Sequence, residues 1–219
     1  LSTAQLAVFS TAQIVAITLE TLDNLTTSQL EGMDSVQLAA LSTAQIEALR
    51  STQFAAIETR DLIGFTTAQI AVIEATDFKA LSTPQIRALT LDQVPAISLD
   101  ALDSLSTEQL SGFSTAQLSV LTTSQVDALT STQLSNLSTE QLQGFGSLQM
   151  TAISDSDIDN LGTEQIVGFS AEQIGFLRAD QFSFLTTAQL EVIEISDISG
   201  IGTGQIAALV AKQVSNLTT

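Results

Sequence analysis

The stretch Leu41-Ser42-Thr43-Ala44-Gln45-Ile46-Glu47-Ala48-Leu49 decides the fold. A serine followed three residues later by glutamine marks a helix start. The hydroxyl accepts from the third helical amide, and the glutamine reaches back to the serine's own amide. Leu41, before the cap, and Ile46, after the glutamine, are placed to clasp across that first turn. One such match carries little weight. Here the pattern S/T-T-A-Q-L-x-A-L runs through 27 consecutive octads, residues 2–217, with no insertion or deletion. A fixed short period is the mark of an array whose units bury their faces against one another.

Numbered from the Ser/Thr, positions 5 and 8 are apolar in all 27 octads. Position 4 is Gln in 21 and Asp in four (Asp61, Asp77, Asp157 and Asp197). Position 1 is Ser, Thr or Asp in 18. The pattern forbids one long helix. Eight residues at about 100° each advance about 800°, so an apolar stripe rotates by about 80° per octad and finds no continuous face to bury. Ser-Thr pairs favour caps over helix interiors, and Pro95 would interrupt a long helix. Each octad therefore reads as a short capped helix ending in a sharp bend. Helices this short need stacking to hold them.

The fold class predicted is all-α: a solenoid or superhelix with one very short capped helix per octad and about 3–4 octads per turn. The alternative is a β-solenoid, since Thr, Val and Ile suit strands. Octads ending in Asn-Leu or Ser-Leu, at Asn24, Ser104, Asn136, Asn160 and Asn216, fit a rhythm of about three and a half octads. Residues 1–219 read as a single continuous array. Leu1 closes a preceding octad and Thr218-Thr219 open a following one, so both ends read as uncapped, in a longer array or filament.

Positions 5, 7 and 8 are assigned to the core and positions 3 and 6 to solvent. The structural core is represented by Leu6, Phe9, Ile46, Leu49, Leu118, Leu121, Ile166 and Phe169, and the capping pairs by Ser42 with Gln45 and Ser114 with Gln117. Four of the five Phe at position 8 follow Gly (Gly64, Gly112, Gly144, Gly168), which reads as large beside small in a crowded interior. Phe176 and Phe184 replace small residues at position 7 and are assigned either to the core or to a lateral contact. On this reading Gln45→Ala costs little by itself, whereas Ile46→Asp disrupts stacking.

Composition narrows the function. Six basic against 24 acidic residues give a net charge of −18, which repels phosphate backbones and anionic lipid. Nucleic-acid binding and membrane insertion are not expected, and no apolar run approaches the roughly 18 residues of a membrane span. Without His or Cys, the usual base and nucleophile pairs are missing and no enzyme is expected. Asp155-Ser156-Asp157-Ile158-Asp159-Asn160 opens like a calcium loop, but Ile158 sits at a core position and Ile166 stands where the bidentate glutamate belongs. No cofactor is predicted; Ca²⁺ bridging acidic faces of adjacent molecules is the one ion role left open. The sequons at Asn24, Asn136 and Asn216 arise whenever Asn at position 7 meets the next cap. A regular hydroxyl row at position 2 suits a flat ice-binding face poorly, because helical bends break the lattice.

Leu81-Ser82-Thr83-Pro84-Gln85-Ile86-Arg87-Ala88-Leu89 resembles the opening helix of a TAL-effector repeat, but those repeats are far longer, basic and carry a base-reading loop, so DNA binding does not transfer. Over the whole chain, uninterrupted S/T-T-A-Q-[LIV]-x-A-L octads resemble the repeat regions of large secreted bacterial surface or adhesin-like proteins. That resemblance implies export to the cell exterior and a structural role as fibre, stalk or spacer, self-associating head to tail or laterally. The alternative is an adhesive module that binds protein or glycan. It supplies no catalytic or ligand-binding residues.

Overall fold

Leu41 and Ser42 show how each octad begins. Both are extended, with φ/ψ of −61°/137° and −71°/160°, and two consecutive extended residues turn the chain sharply before the helix Thr43–Glu47 starts. The Ser42 amide donates to Gln45 Oε1 at 2.8 Å and the Gln45 amide to Ser42 Oγ at 3.3 Å, completing the capping box. The helix closes when the Leu49 amide donates to the Ile46 carbonyl at 3.1 Å. No described residue needs a positive φ, so the bends make no demand for glycine.

The computed structural model describes residues 2–209 together with Gln213. The open ends read at Leu1 and Thr218-Thr219, and Asn216 of the longer rhythm, lie outside the described residues. Within them the fold is all-helical, with 23 short α-helices of four to six residues and no strand. The β-solenoid alternative is therefore set aside. One α-helix per octad is not universal. Leu62–Gly64, Val94–Ala96 and Ile198–Gly200 are tighter 3-10 turns. Pro95 explains the second, since it has no amide for the next α-helical bond. The first and third have no side-chain cap, a lack shared by the α-helix Ala75–Phe78 that follows Glu74.

The described chain forms two compact units, Leu1–Phe113 and Ser114–Thr219. Inside each, every octad's helix packs on the helix three octads further on, as Thr11–Val15 does on Ser35–Ala40 in the first unit and Thr123–Asp127 on Ser147–Ala152 in the second. Glutamine contacts reach four octads back (Gln37 to Leu6, Gln165 to Leu134). One superhelical turn thus spans between three and four octads in each unit.

The core of each unit is the column of position 5 and position 8 side chains. Leu6, Ile46 and Leu118 are fully buried, and Leu49, Leu121, Ile166 and Phe169 are nearly so. Phe54 and Phe65 meet edge to face, with ring centroids 6.5 Å apart, an arrangement that aromatic quadrupoles favour. Burying one such side chain is worth about 1.5–3 kcal/mol, and most octads repeat it twice. Ile198 and Ile206, at position 5 near the end of the described residues, depart from the inward assignment and are more than half exposed. Phe9 departs from the expectation. It is only half-buried. Position 3 is exposed throughout the described octads, and position 6 nearly so.

Position 7 also departs from its inward assignment. It is mostly half-buried and faces the neighbouring turn rather than the core. A Cβ added to Gly112 would lie 2.7 Å from Thr83 Cγ2, and one on Gly64 would overlap the backbone of Ser35. Glycine at position 7 therefore makes room for the first helical residue of the adjacent turn, not for the phenylalanine beside it.

Candidate functional site

The most developed polar site is the seam between successive turns. Each octad leaves two backbone carbonyls, at positions 5 and 8, near the seam. Position 8 is extended, so its carbonyl has no helical donor of its own. Glutamine from four octads later supplies one. Gln53 Nε2 donates to Leu22 O at 3.0 Å and Leu25 O at 2.8 Å; Gln69 does the same to Leu38 at 2.9 Å and Leu41 at 2.6 Å. In the second unit Gln181 reaches Met150 and Ile153, and Gln189 reaches Ile158 and Leu161.

Gln45 thus does more than close a local cap. Its Oε1 holds its own helix start, while its Nε2 lies 3.2 Å from Ile14 O and 2.8 Å from Ile17 O. It is 3% exposed. The low cost expected for Gln45→Ala is therefore corrected: truncation removes the return bond to the Ser42 amide and leaves the buried Ile17 carbonyl without its donor, while the Ile14 carbonyl keeps the Ile17 amide. Gln5 and Gln13 keep the cap but are exposed. The sequence signals the cap through spacing alone. The second bond is legible only as an invariance stronger than capping requires.

The other assigned residues fall as follows. Ser114 and Gln117 form both bonds of the capping box, at 2.9 and 3.2 Å. Phe176 is half-buried and lines a groove of about 700 Å³ in the second unit, with Phe169, Glu172, Glu194 and Asp197 among its walls. Phe184 is 47% exposed and is not part of the core. Asn24 and Asn136 donate Nδ2 to the Glu20 and Thr132 carbonyls at 2.8 Å. Asn at position 7 therefore has a helix-ending role beside its sequon.

Charged contacts are sparse, and two of them cross from turn to turn. Arg50 pairs with Asp23 at 3.2 Å. Arg178 donates to the Thr151 carbonyl and pairs with Asp155 at 2.8 Å and Asp180 at 3.0 Å. The Gln181 amide, and then the Arg178 guanidinium, hold the Asp180 carboxyl below its usual range. Among the described residues no cluster of three or more metal-ligating side chains forms, and no helix is long and apolar enough to cross a membrane. What this arrangement does chemically is to satisfy backbone groups and bind turn to turn.

No curated protein matches the chain. The ALTTAQ repeat does, at residues 22–56, 54–90, 70–107 and 96–131. These matches overlap and together cover residues 22–131, 110 of the 219. The first spans 35 residues, a little more than the 28 to 31 that separate a glutamine from the two carbonyls it caps. A repeat of that length contains one complete seam contact, and on this match the chain belongs to the ALTTAQ repeat family.

Proposed function

We propose that this structural repeat protein acts as a spacer, stalk or fibre segment on the exterior of a bacterial cell and is not an enzyme. The carrying observation is the seam: each added octad supplies the same two core side chains and the same glutamine, so length grows without altering the local structure. In this reading the strongly acidic surface keeps arrays apart except where specific contacts join them, head to tail or laterally. No cofactor enters; Ca²⁺ would act only by bridging acidic faces. Negative-stain microscopy of the purified chain, with and without Ca²⁺, tests the assembly. Uniform filaments are the expected result, and dispersed particles that assemble under neither condition would overturn it. Fractionation of producing cells tests the location: the chain is expected in the surface fraction, and recovery from the cytoplasm alone would refute export.

A second reading is an adhesive module that binds protein or glycan. The groove around Phe176 favours it, since it joins an aromatic face to three carboxylates, Glu172, Glu194 and Asp197. A binder would lose its ligand on Phe176→Ala with its fold intact, whereas a spacer would be indifferent.

A further inference from the structure

Asp at position 4 is a costly departure from the seam. A carboxylate cannot donate to the two carbonyls that glutamine caps. Asp61, Asp77 and Asp157 are nonetheless each only 7% exposed. Two of them are held by a serine hydroxyl from the turn before. Ser51 Oγ donates to Asp77 Oδ1 at 2.6 Å, and Ser131 Oγ donates to Asp157 Oδ1. Asp157 accepts a second bond from Ser154 at 2.5 Å. Both seam pairs are 26 residues apart, joining position 2 to position 4 three octads later.

The same spacing is written elsewhere in the chain. Position 2 is most often Thr, and it is Ser only at Ser35, Ser51, Ser131 and Ser147. Three of these four precede a position 4 Asp by that same interval: Ser35 with Asp61, Ser51 with Asp77 and Ser131 with Asp157. Ser35 and Asp61 share only the spacing, and the carboxylate there meets the Arg60 guanidinium at 3.4 Å. Asp197 has Ala171 at that offset, and Ser147 has Gln173, so the rule has one exception on each side.

We infer that these Ser–Asp pairs are register marks, which fix the octad that each turn stacks on. The core columns and the glutamine seam look alike at every offset of one octad, so by themselves they barely distinguish the correct stacking from a slipped one. Wrong pairing of like units is a characteristic failure of repeat proteins. A buried polar pair satisfied at one offset alone penalises the others. Slipped by one octad, Asp77 meets Thr43 or Thr59, Asp157 meets Thr123 or Thr139, and Asp61 meets Thr27 or Thr43. Threonine's branched side chain restricts where its hydroxyl can point, whereas serine's turns freely to the carboxylate. The inference stands whether the array is a spacer or a binder.

The test restores the consensus. A chain carrying Ser35→Thr, Asp61→Gln, Ser51→Thr, Asp77→Gln, Ser131→Thr and Asp157→Gln is unfolded, refolded at high dilution, and read by hydrogen-exchange mass spectrometry beside the unaltered chain. The unaltered chain should give one isotopic envelope per peptide. The reverted chain should keep its helix content and give two, from native and slipped stacking. A single envelope with unchanged protection would overturn the inference, and so would loss of helix. Ser51→Ala alone should speed exchange at the Asp77 and Phe78 amides about tenfold, since the carboxylate loses its partner. Unchanged exchange there would remove the pair from any such role.

Discussion

Gln69 places its Nε2 2.6 Å from the carbonyl oxygen of Leu41, 28 residues earlier, while its Oε1 accepts from the Thr66 amide at 2.7 Å. One side chain therefore ties the start of its own helix to the end of a helix one turn away. Both ends of the amide are used, and the group is almost wholly buried.

Gln69→Ala removes the return bond to the Thr66 amide and leaves the buried Leu41 carbonyl without a donor, while the Thr66 cap and the Leu41 amide's bond to the Leu38 carbonyl remain, for an expected loss of about 1–3 kcal/mol. Gln5→Ala removes only the bond from the Ser2 amide at an exposed site and keeps the Ser2 cap, and a loss of about 0.5 kcal/mol or less is expected. Urea denaturation of the two variants measures the difference. Equal losses would mean that the cross-turn bonds contribute nothing beyond the cap.

Gln69→Glu separates the donor from the shape. The glutamate can still accept from the Thr66 amide, but an ionised carboxylate would face the Leu38 and Leu41 carbonyls without a proton to give. Its carboxyl should titrate above the ordinary value in the folded state, so the folded chain binds the proton more tightly than the unfolded one. Stability should therefore be recovered below the unfolded value near pH 4 and lost as pH rises through the folded value. Urea midpoints relative to the unaltered chain, followed from about pH 7 to about pH 3.5, check the sign.

Much of this was legible in the octad. Its eight-residue advance excludes a long helix, and the Ser42–Gln45 spacing announces the cap and hence the class of fold. Ile46 and Leu49 follow from invariance of apolar type. What stayed hidden is what lies 25 to 31 residues away, because a short-period sequence does not show which copy faces which. In the sequence Gly64 pairs with its neighbour Phe65, but the group it must clear is Ser35 in another turn. The glutamine was explained by its cap, and that sufficient local reason concealed the cross-turn bond.

Ile46 and Ile195 give a contrast within one residue type. Ile46 is fully buried and Ile195 is 90% exposed. Ile46→Asp puts an unpaired charge into the core column and is expected to cost at least about 4 kcal/mol, with helix signal lost around it. Ile195→Asp should change stability by about 0.5 kcal/mol or less. Thermal melts followed by circular dichroism distinguish them.

Asp180 carries an acid-side signature. Its carboxyl is held below the usual range by the Gln181 amide first and the Arg178 guanidinium next, so the unfolded chain binds that proton more readily than the folded one. The stabilisation is present above the unfolded value and disappears as pH falls through the folded value. Asp180→Asn should therefore lower the urea midpoint at neutral pH, and the gap should close in strong acid. The effect should be small, because the group is solvent-screened. A gap that widens with acid would contradict the assignment.

Gly64 and Gly204 test the close approach between turns. A Cβ at Gly64 would run into the backbone of Ser35, which has no flexible end to move aside, while a Cβ at Gly204 meets nothing within 4 Å. Gly204 lies inside the helix Thr203–Ala208, where alanine is the better helix former and has less freedom to lose on folding. Gly204→Ala should thus stabilise by about 0.4–1 kcal/mol. Gly64→Ala gains the same backbone term but must push two turns apart, and a net loss of about 1–3 kcal/mol is expected. Opposite signs in the two unfolding midpoints would place the effect in the turn-to-turn contact. A gain from both would mean that the turns yield at Gly64 and that position 7 does not set their spacing.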